Sequence, residues 1–371
     1  MSPLQDAATG RPLGDARLAF PSAHLMLTPF SSFGDWLTCN SLRQDAAFFA
    51  WAAAAWLLFR AFRPGQKAWA KELRAAGAAG AGLSLFLLWT VFVPRAASRL
   101  EMDDPDVISV DFHSHTARSW DGRKTFTTEA NQAWHQRTGF DAAFITDHNL
   151  LTLADSKDDG EYSFLAGEEV SLHEAHVLSL GLQKEISPKD YEGLEGLKRF
   201  LSRAQADYGG LTVMSLPEYW QHHWSRLSEL VDSGAKGFEI ISSAPKALDF
   251  PVEKRREVVA LCRARNLFMT GGSDNHGFGN AACVWNLLPI PGWRLMGDAE
   301  VQNAVLGRLR SEGFAAVQVV ERTRLAPAAG VLIWLDTPRA LWVMLRTYSW
   351  AQCVFALLWV WLAVLIRASI K

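Results

Sequence analysis

The sequence predicts an α/β domain in which strands and helices alternate around a closed or distorted barrel, flanked by transmembrane helices. Three observations carry that expectation. Short apolar runs bounded by Gly, Asp or Asn alternate with helix-length amphipathic stretches through the middle of the chain. Histidines and acids follow several of those runs, where α/β folds place their sites. Long, tryptophan-rich apolar runs lie towards both chain ends, where membrane contact is expected.

In 371 residues, 37 Lys and Arg stand against 39 Asp and Glu, so there is ample material for more than one module and no basic footprint of a stable nucleic-acid partner. Residues 1–45 give no assignable element. Ala46 to Phe59 reads AAFFAWAAAAWLLF, which is short for a span unless Arg60 and Arg63 snorkel. Ala75 to Val93 reads AAGAAGAGLSLFLLWTVFV without a charge and is long enough to cross. Between them Arg60, Arg63, Lys67, Lys71 and Arg74 face the single acid Glu72, a loop that belongs on the cytoplasmic side, so residues 46–94 are expected to form a membrane hairpin. Strands are expected at Val107 to Val110, Ala142 to Thr146, Val177 to Leu182, Leu211 to Met214, Gly237 to Ile241, Leu267 to Thr270 and Phe314 to Val320. Helices are expected at Thr128 to Thr138, Tyr191 to Tyr208 and Val252 to Arg265, which gives a parallel module over about residues 100–325. In the C-terminal part, 326–371, Val331 to Leu345 is broken by Asp336, Pro338 and Arg339 and reads as interfacial. Tyr348 to Ile366 reads as a further span, with Arg367 and Lys371 as a basic tail. A cytoplasmic tail would leave the central module outside, held at both ends. A cleaved signal peptide is not expected, because the first apolar run starts more than forty residues in.

Cys39, Cys262, Cys283 and Cys353 show no Cys-x-x-Cys spacing. Cys262 and Cys283 share the central module and could pair in an oxidising compartment; two small buried residues is the preferred reading.

The chemistry-bearing segments are Val110-Asp111-Phe112-His113-Ser114-His115-Thr116, Ile145-Thr146-Asp147-His148-Asn149, Gly167-Glu168-Glu169 followed by His176, and Gly272-Ser273-Asp274-Asn275-His276. A His-x-His pair on a strand puts both imidazoles on one face. Imidazole with carboxylate suits zinc, manganese or iron, and so many candidate ligands imply more than one ion. His173 would face away from His176 in an extended segment, His135 reads as a surface or packing residue, and His24 has no supporting context. Asp111 and Asp147 are expected either to orient a ligand imidazole or to cap backbone. Phosphate-loop, dinucleotide-fingerprint and Gly-x-Ser-x-Gly motifs are absent, which disfavours those chemistries.

At these motifs residues 107–325 resemble the PHP family of polymerase and histidinol phosphatase domains, metal-dependent phosphoesterases on a distorted (β/α)7 barrel. The resemblance implies one ion held by His113, His115, Glu169 and Asp274, with Glu169 favoured over Glu168 by its place in the motif. It implies a second ion on Asp121, His148 and His276, although Trp120 stands between Ser119 and Asp121 where the family often has the acid directly after serine. A third ion would use Glu169, His176 and a histidine before proline; here the pair is Leu216-Pro217, leaving Glu218, His222 or His223 as substitutes and two ions as the expected count. Hydrolysis by hydroxide held between the ions is implied, with Arg118, Arg123 or Lys124 gripping phosphate and His148 or His276 able to donate a proton when free of metal. The expected substrate is a small phosphomonoester, nucleotide or short oligonucleotide at the periplasmic face of a bacterial inner membrane. The alternatives are hydrolysis of a lipid-linked phosphate and a catalytically silent metal-binding membrane sensor or scaffold.

Overall fold

The computed structural model describes residues 1–62, 69–152 and 162–369. The chain begins with β1 (Leu4–Asp6), β2 (Ala16–Ala19), α1 (Ser22–Met26), α2 (Phe30–Thr38), α3 (Leu42–Ala61), α4 (Trp69–Phe92) and β3 (Arg99–Met102). It continues through β4 (Val107–Ser114), α5 (Thr128–Thr138), β5 (Ala142–Ile145), β6 (Ser163–Leu172), β7 (Ala175–Leu180), α6 (Gly193–Tyr208) and β8 (Leu211–Ser215). Then come α7 (Trp220–His223), α8 (Leu227–Asp232), β9 (Gly237–Ser242), α9 (Val252–Arg265), β10 (Phe268–Gly272), β11 (Val284–Pro289), α10 (Asp298–Glu312) and β12 (Gln318–Arg322). The C-terminal helices are α11 (Asp336–Arg346) and α12 (Trp350–Ser369).

Local chemistry sets several of these bounds. Thr127 caps α5 by accepting from Ala130 N, and left-handed Gly139 ends it, so the expected Thr128–Thr138 helix is found to the residue. Asn266, at φ 50°, closes α9 in the same way. Ser41 and Gln44 form a capping box that starts α3.

Ten strands form one sheet in the order β1-β12-β11-β4-β5-β6-β7-β8-β9-β10. Past β10 the chain returns to β4: Asp274 N donates to His113 O at 2.8 Å and His115 N to Asn275 O at 3.1 Å, so the sheet curls back on itself. The α/β class is as expected and the curled sheet is compatible with the expected distorted barrel, but the expected parallel topology holds only in part. Strands β4-β5-β6 and β8-β9-β10 pair in parallel, whereas β7 is antiparallel to both neighbours and β11, β12 and β1 extend the sheet antiparallel. The reason lies at His173-Glu174, where two successive residues at positive φ turn β6 straight into β7 and leave no room for a crossover helix. The core runs along this curled sheet, where Phe112 and Phe144 stack at 5.5 Å, both fully buried. Truncating either to Ala would cost about 3–5 kcal/mol.

The chain ends depart from expectation in three places. Residues 1–45 join the central body, because β1 pairs with β12 and β2 with β3. Cys283 is bonded to Cys39, at the end of α2, across 244 residues, while Cys262 is free and buried; the considered Cys262–Cys283 pair does not form. The helices long and apolar enough to cross a membrane are Lys71–Phe92 and Trp350–Ser369, both almost wholly exposed. The Ala46 to Phe59 run lies in α3, which has the length but not the apolar character, since Arg43, Gln44, Asp45 and Arg60 dilute it. Arg60 and Glu72 pair at 3.3 Å, where α3 ends and α4 begins. Arg63, Lys67 and Lys371 lie outside the described residues. Val331 to Leu345 folds as a short 3-10 helix followed by α11, with Val331, Trp334, Trp342 and Leu345 exposed.

Candidate metal centre

Strand alternation turns His113 of β4 and Glu169 of β6 to the inside of the curl, and irregular backbone just beyond the strand ends brings the remaining donors to them. His113 Nε2 lies 3.1 Å from His115 Nε2, 3.3 Å from Glu169 Oε2 and 3.4 Å from Asp274 Oδ1. His115 Nε2 is 3.2 Å from both of those carboxylate oxygens. Next to this set, Asp121 Oδ2 lies 3.3 Å from His148 Nε2 and 3.2 Å from His276 Nε2. The ring of His115 stacks on that of His276 at 4.0 Å. Glu169 joins the two sets, because its Oε2 also lies 3.1 Å from His148 Nδ1 and its Oε1 lies 2.6 Å from His176 Nδ1. Glu168 faces the other way and accepts from Ile186 N at 3.0 Å.

The donor set fits divalent ions on two counts. Donors held about 2.0–2.1 Å from a tetrahedral ion stand about 3.3 Å apart, which is the separation found here. Glu169 Oε2, His148 Nδ1 and His276 Nε2 are buried without a hydrogen-bond partner, a costly state unless something else binds them. Three groupings place donor atoms within 4.8 Å of one another: His113, His115 and Glu169; His115, His148 and His276; and His148, Glu169 and His176.

Electrostatics reflect the crowding. Burial opposes charge on His113 and His115, yet Asp274 and Glu169 outweigh it, holding His113 well above the usual imidazole range and raising His115 to about 9. Glu169 and Asp274 are lowered despite burial, chiefly by His113. Asp121 is lowered against burial by the adjacent His276 and His148 imidazoles. Burial lowers His148, and the Glu169 charge offsets this only in part. His176 is raised, its bond to Glu169 prevailing over burial.

Side chains around the donors hold them in place. Glu239, fully buried in β9, lies 3.2 Å from His113 Nδ1 and accepts from Ser215 Oγ, so it fixes the imidazole that points Nε2 at the centre. Gly272 makes room for it: a Cβ there would stand 2.0 Å from Glu239 Oε1 and 2.7 Å from His113 Cβ. Ser119 donates to Asp121 Oδ1 at 3.1 Å, accepts from His148 N at 3.3 Å and lies 3.3 Å from His115 Nδ1, compensating for the Trp120 insertion. Glu239 and Ser119 are the residues that sequence reasoning missed. A lone acid inside Gly-Phe-Glu-Ile-Ile gives no sign of a partner 126 residues away.

Other expectations resolve as follows. Asp111 caps the backbone N–H groups of His113 at 3.2 Å and Ser273 at 3.1 Å, and Asp147 takes Thr116 N at 2.7 Å and Thr152 Oγ1 at 2.6 Å, so the capping alternative holds for both. His135 is a packing residue, buried with Nε2 3.0 Å from Asp111. His24 is buried against Asp35. His173 is exposed at the β6–β7 turn. Leu216 is buried, and the substitutes for it point elsewhere: Glu218 pairs with Lys246, His222 with Glu174, and His223 with the carbonyl of His173. Arg123 donates to Phe92 O at 2.8 Å, which commits it to the end of α4, while Arg118 and Lys124 are exposed.

No protein-family profile and no curated protein matches the chain. Solved structures that resemble it weakly include the following two. A Bifidobacterium adolescentis protein assigned as a metal-dependent phosphoesterase is 17% identical, covers 47% of this chain and 90% of its own, and has a TM-score of 0.30. PsfC from Pseudomonas syringae is 15% identical, covers 67% of this chain and 99% of its own, and has a TM-score of 0.40.

Proposed function

We propose that the chain is a membrane-anchored, metal-dependent phosphoesterase that hydrolyses a phosphorylated small molecule. The observation that carries this reading is the pair of adjoining donor sets sharing Glu169, with buried donor atoms left without hydrogen bonds. His113, His115, Glu169 and Asp274 would hold one divalent ion, and Asp121, His148 and His276 a second. Zinc, manganese and iron all suit these ligands. Bound ions of this kind lower the pKa of water towards neutrality and offset charge on phosphoryl oxygens.

The chain's own groups do the rest. Glu239 and Ser119 hold imidazoles and Asp121 at the separations given above, so the donors need no rearrangement. Both ring nitrogens of His148 lie among carboxylates, and His276 Nδ1 lies 2.9 Å from Asp274 O, which assigns these histidines to the ions before proton delivery. Arg118 is an exposed cation that could meet substrate phosphate, as is Lys124. With Leu216 in place of a donor, two ions remain the expected count.

The membrane reading rests on Lys71–Phe92 and Trp350–Ser369. Lys71 and Arg74 lie at the end of α4 remote from Phe92, a distribution that by the positive-inside rule favours a non-cytoplasmic centre. The test is phosphate release by detergent-solubilised full-length protein reconstituted with manganese or zinc, beside His113→Ala and Asp274→Ala. Release above background that both substitutions abolish supports the reading. Full metal loading without release from any phosphoester would replace it with the silent binding module.

A further inference from the structure

The loop that carries His276 is fastened to the end of a helix able to cross a membrane. Gly279 N donates to Val91 O at 2.8 Å, and Asn280 Nδ2 to Val93 O at 2.9 Å; Arg95 N returns a bond to Asn280 Oδ1 at 2.9 Å. The last carbonyls of α4, which no helix can satisfy internally, are thus taken up by the candidate site itself. The donor cluster therefore sits where α4 would leave the bilayer.

A cavity of about 510 Å³ joins the two. Asp121, Asp274 and His276 line one part of it, together with Ser243 and Asn275. Asn275 Nδ2 and Ser243 Oγ are buried with no partner, two idle donors beside the centre. Elsewhere the lining is mostly hydrocarbon, with Phe49 of α3, Leu87 and Val91 of α4 and Phe278 of the site loop, although Asp45 and Thr90 also border it. A soluble phosphoester gains nothing from such a wall, whereas a molecule with a phosphate head and an apolar tail matches both parts.

We propose that the substrate is a lipid phosphate, a phosphomonoester of a long-chain alcohol, with its head at the donor cluster and its tail between α3, α4 and Phe278. The substrate class rests on the phosphoesterase reading given above. Water oxygen bonds to phosphorus as the ester P–O bond breaks; one water proton ends on the released alcohol and inorganic phosphate leaves. Asn275 Nδ2 and Ser243 Oγ donate to phosphoryl oxygens, and the released alcohol stays with the bilayer.

The test uses full-length, manganese-loaded protein in detergent with n-alkyl phosphates from ethyl to octyl, each below its own micelle concentration. The expected kcat/KM rises on the order of two- to threefold per methylene, somewhat below the limit for complete burial. Leu87→Gln and Phe278→Ser should each flatten that slope, the second at an exposed loop position where misfolding is not a concern. Turnover that is independent of chain length, or a slope unchanged in both variants, overturns the lipid substrate and leaves the phosphoesterase intact. Should no ester turn over, the catalytic reading fails, and a tail-diazirine octyl phosphate then tests the groove on metal-free protein. Label in peptides containing Leu87, Val91 or Phe278 supports a tail groove; label elsewhere, or no label because a second copy covers it, overturns it.

Discussion

Two buried clusters in this chain pair histidine with carboxylate, and they differ in what balances the carboxylate charge. Under α2, both oxygens of Asp35 are engaged: Oδ2 lies 3.0 Å from His24 Nε2, and Arg95 Nη2 lies 2.6 Å from Oδ1. Burial works against the Asp35 charge, but His24 and Arg95 bring the carboxyl down to about 2, so both carboxylate oxygens are satisfied while the unmet atoms, His24 Nδ1 and Arg95 Nε and Nη1, are all on its partners. At the donor cluster, carboxylates face imidazoles, yet Glu169 Oε2 receives no hydrogen bond and two histidine nitrogens are equally idle. The difference separates a latch from a site: an arginine completes the first, and only an added cation completes the second. The two are also joined, since Cys39 closes α2 and Cys283 follows the site loop.

The largest effect should come from breaking the latch. Asp35→Asn leaves the nearly buried Arg95 without its counter-charge, at a cost of about 3–5 kcal/mol, read as a lower denaturation midpoint. Metal stoichiometry, measured on the folded fraction, should be unchanged. Loss of metal with stability retained would mean that the clusters are not separate. Next, Cys39→Ser should cost about 2–4 kcal/mol, because the bond closes a long loop, again with metal retained. Equal stability of the two proteins under oxidising conditions would show that the bond does not form.

What could be read from the sequence follows the same division. The motifs around His113, His148, Glu169 and Asp274 stand out because polar residues follow short apolar runs, and α5 and α9 were legible because a cap or a left-handed residue ends them. His24 and Asp35 carried no such frame; their partner Arg95 comes 60 residues after Asp35 and belongs to the linker after α4. Strand β6 is not legible, because Ser-Phe-Leu-Ala-Gly-Glu-Glu-Val-Ser-Leu holds a glycine and two acids that break alternation, and without it β7 reads as one strand of a parallel set. The Cys39–Cys283 bond has no sequence signature, because its two cysteines stand 244 residues apart in segments that only the fold brings together.

Proton linkage sharpens the contrast further. In metal-free protein His115 is raised from 6.5 to about 9 because Asp274 and Glu169 overcome burial. A raised base stabilises the fold fully below its unfolded pKa, and this contribution is lost as pH rises through the folded value. Metal-free protein should therefore lose roughly 2–3 kcal/mol between pH 6.5 and 9. Metal-loaded protein should not show that loss, because the ion needs neutral imidazoles and replaces the protons; its affinity should fall as pH is lowered through the same window. Denaturation curves at several pH values, with and without chelator, read both slopes. Identical slopes would remove the donor cluster as the origin.

The smallest effect is the most specific. Glu239 touches no other donor of the centre and acts through His113, whose Nδ1 it meets at 3.2 Å, while Ser215 occupies its second oxygen. Glu239→Gln keeps shape and burial but removes the charge that orients and enriches the imidazole. Metal affinity should fall about 10- to 100-fold in competition with a chelator, with little change in the denaturation midpoint of metal-free protein. Gly272→Ala should approach the same result by displacing Glu239 rather than neutralising it, since its Cβ would collide with Oε1. If Glu239→Gln leaves affinity intact but lowers stability, Glu239 belongs with Asp35 as a latch, and the line between the two kinds of cluster must be drawn inside the curled sheet instead of between it and α2.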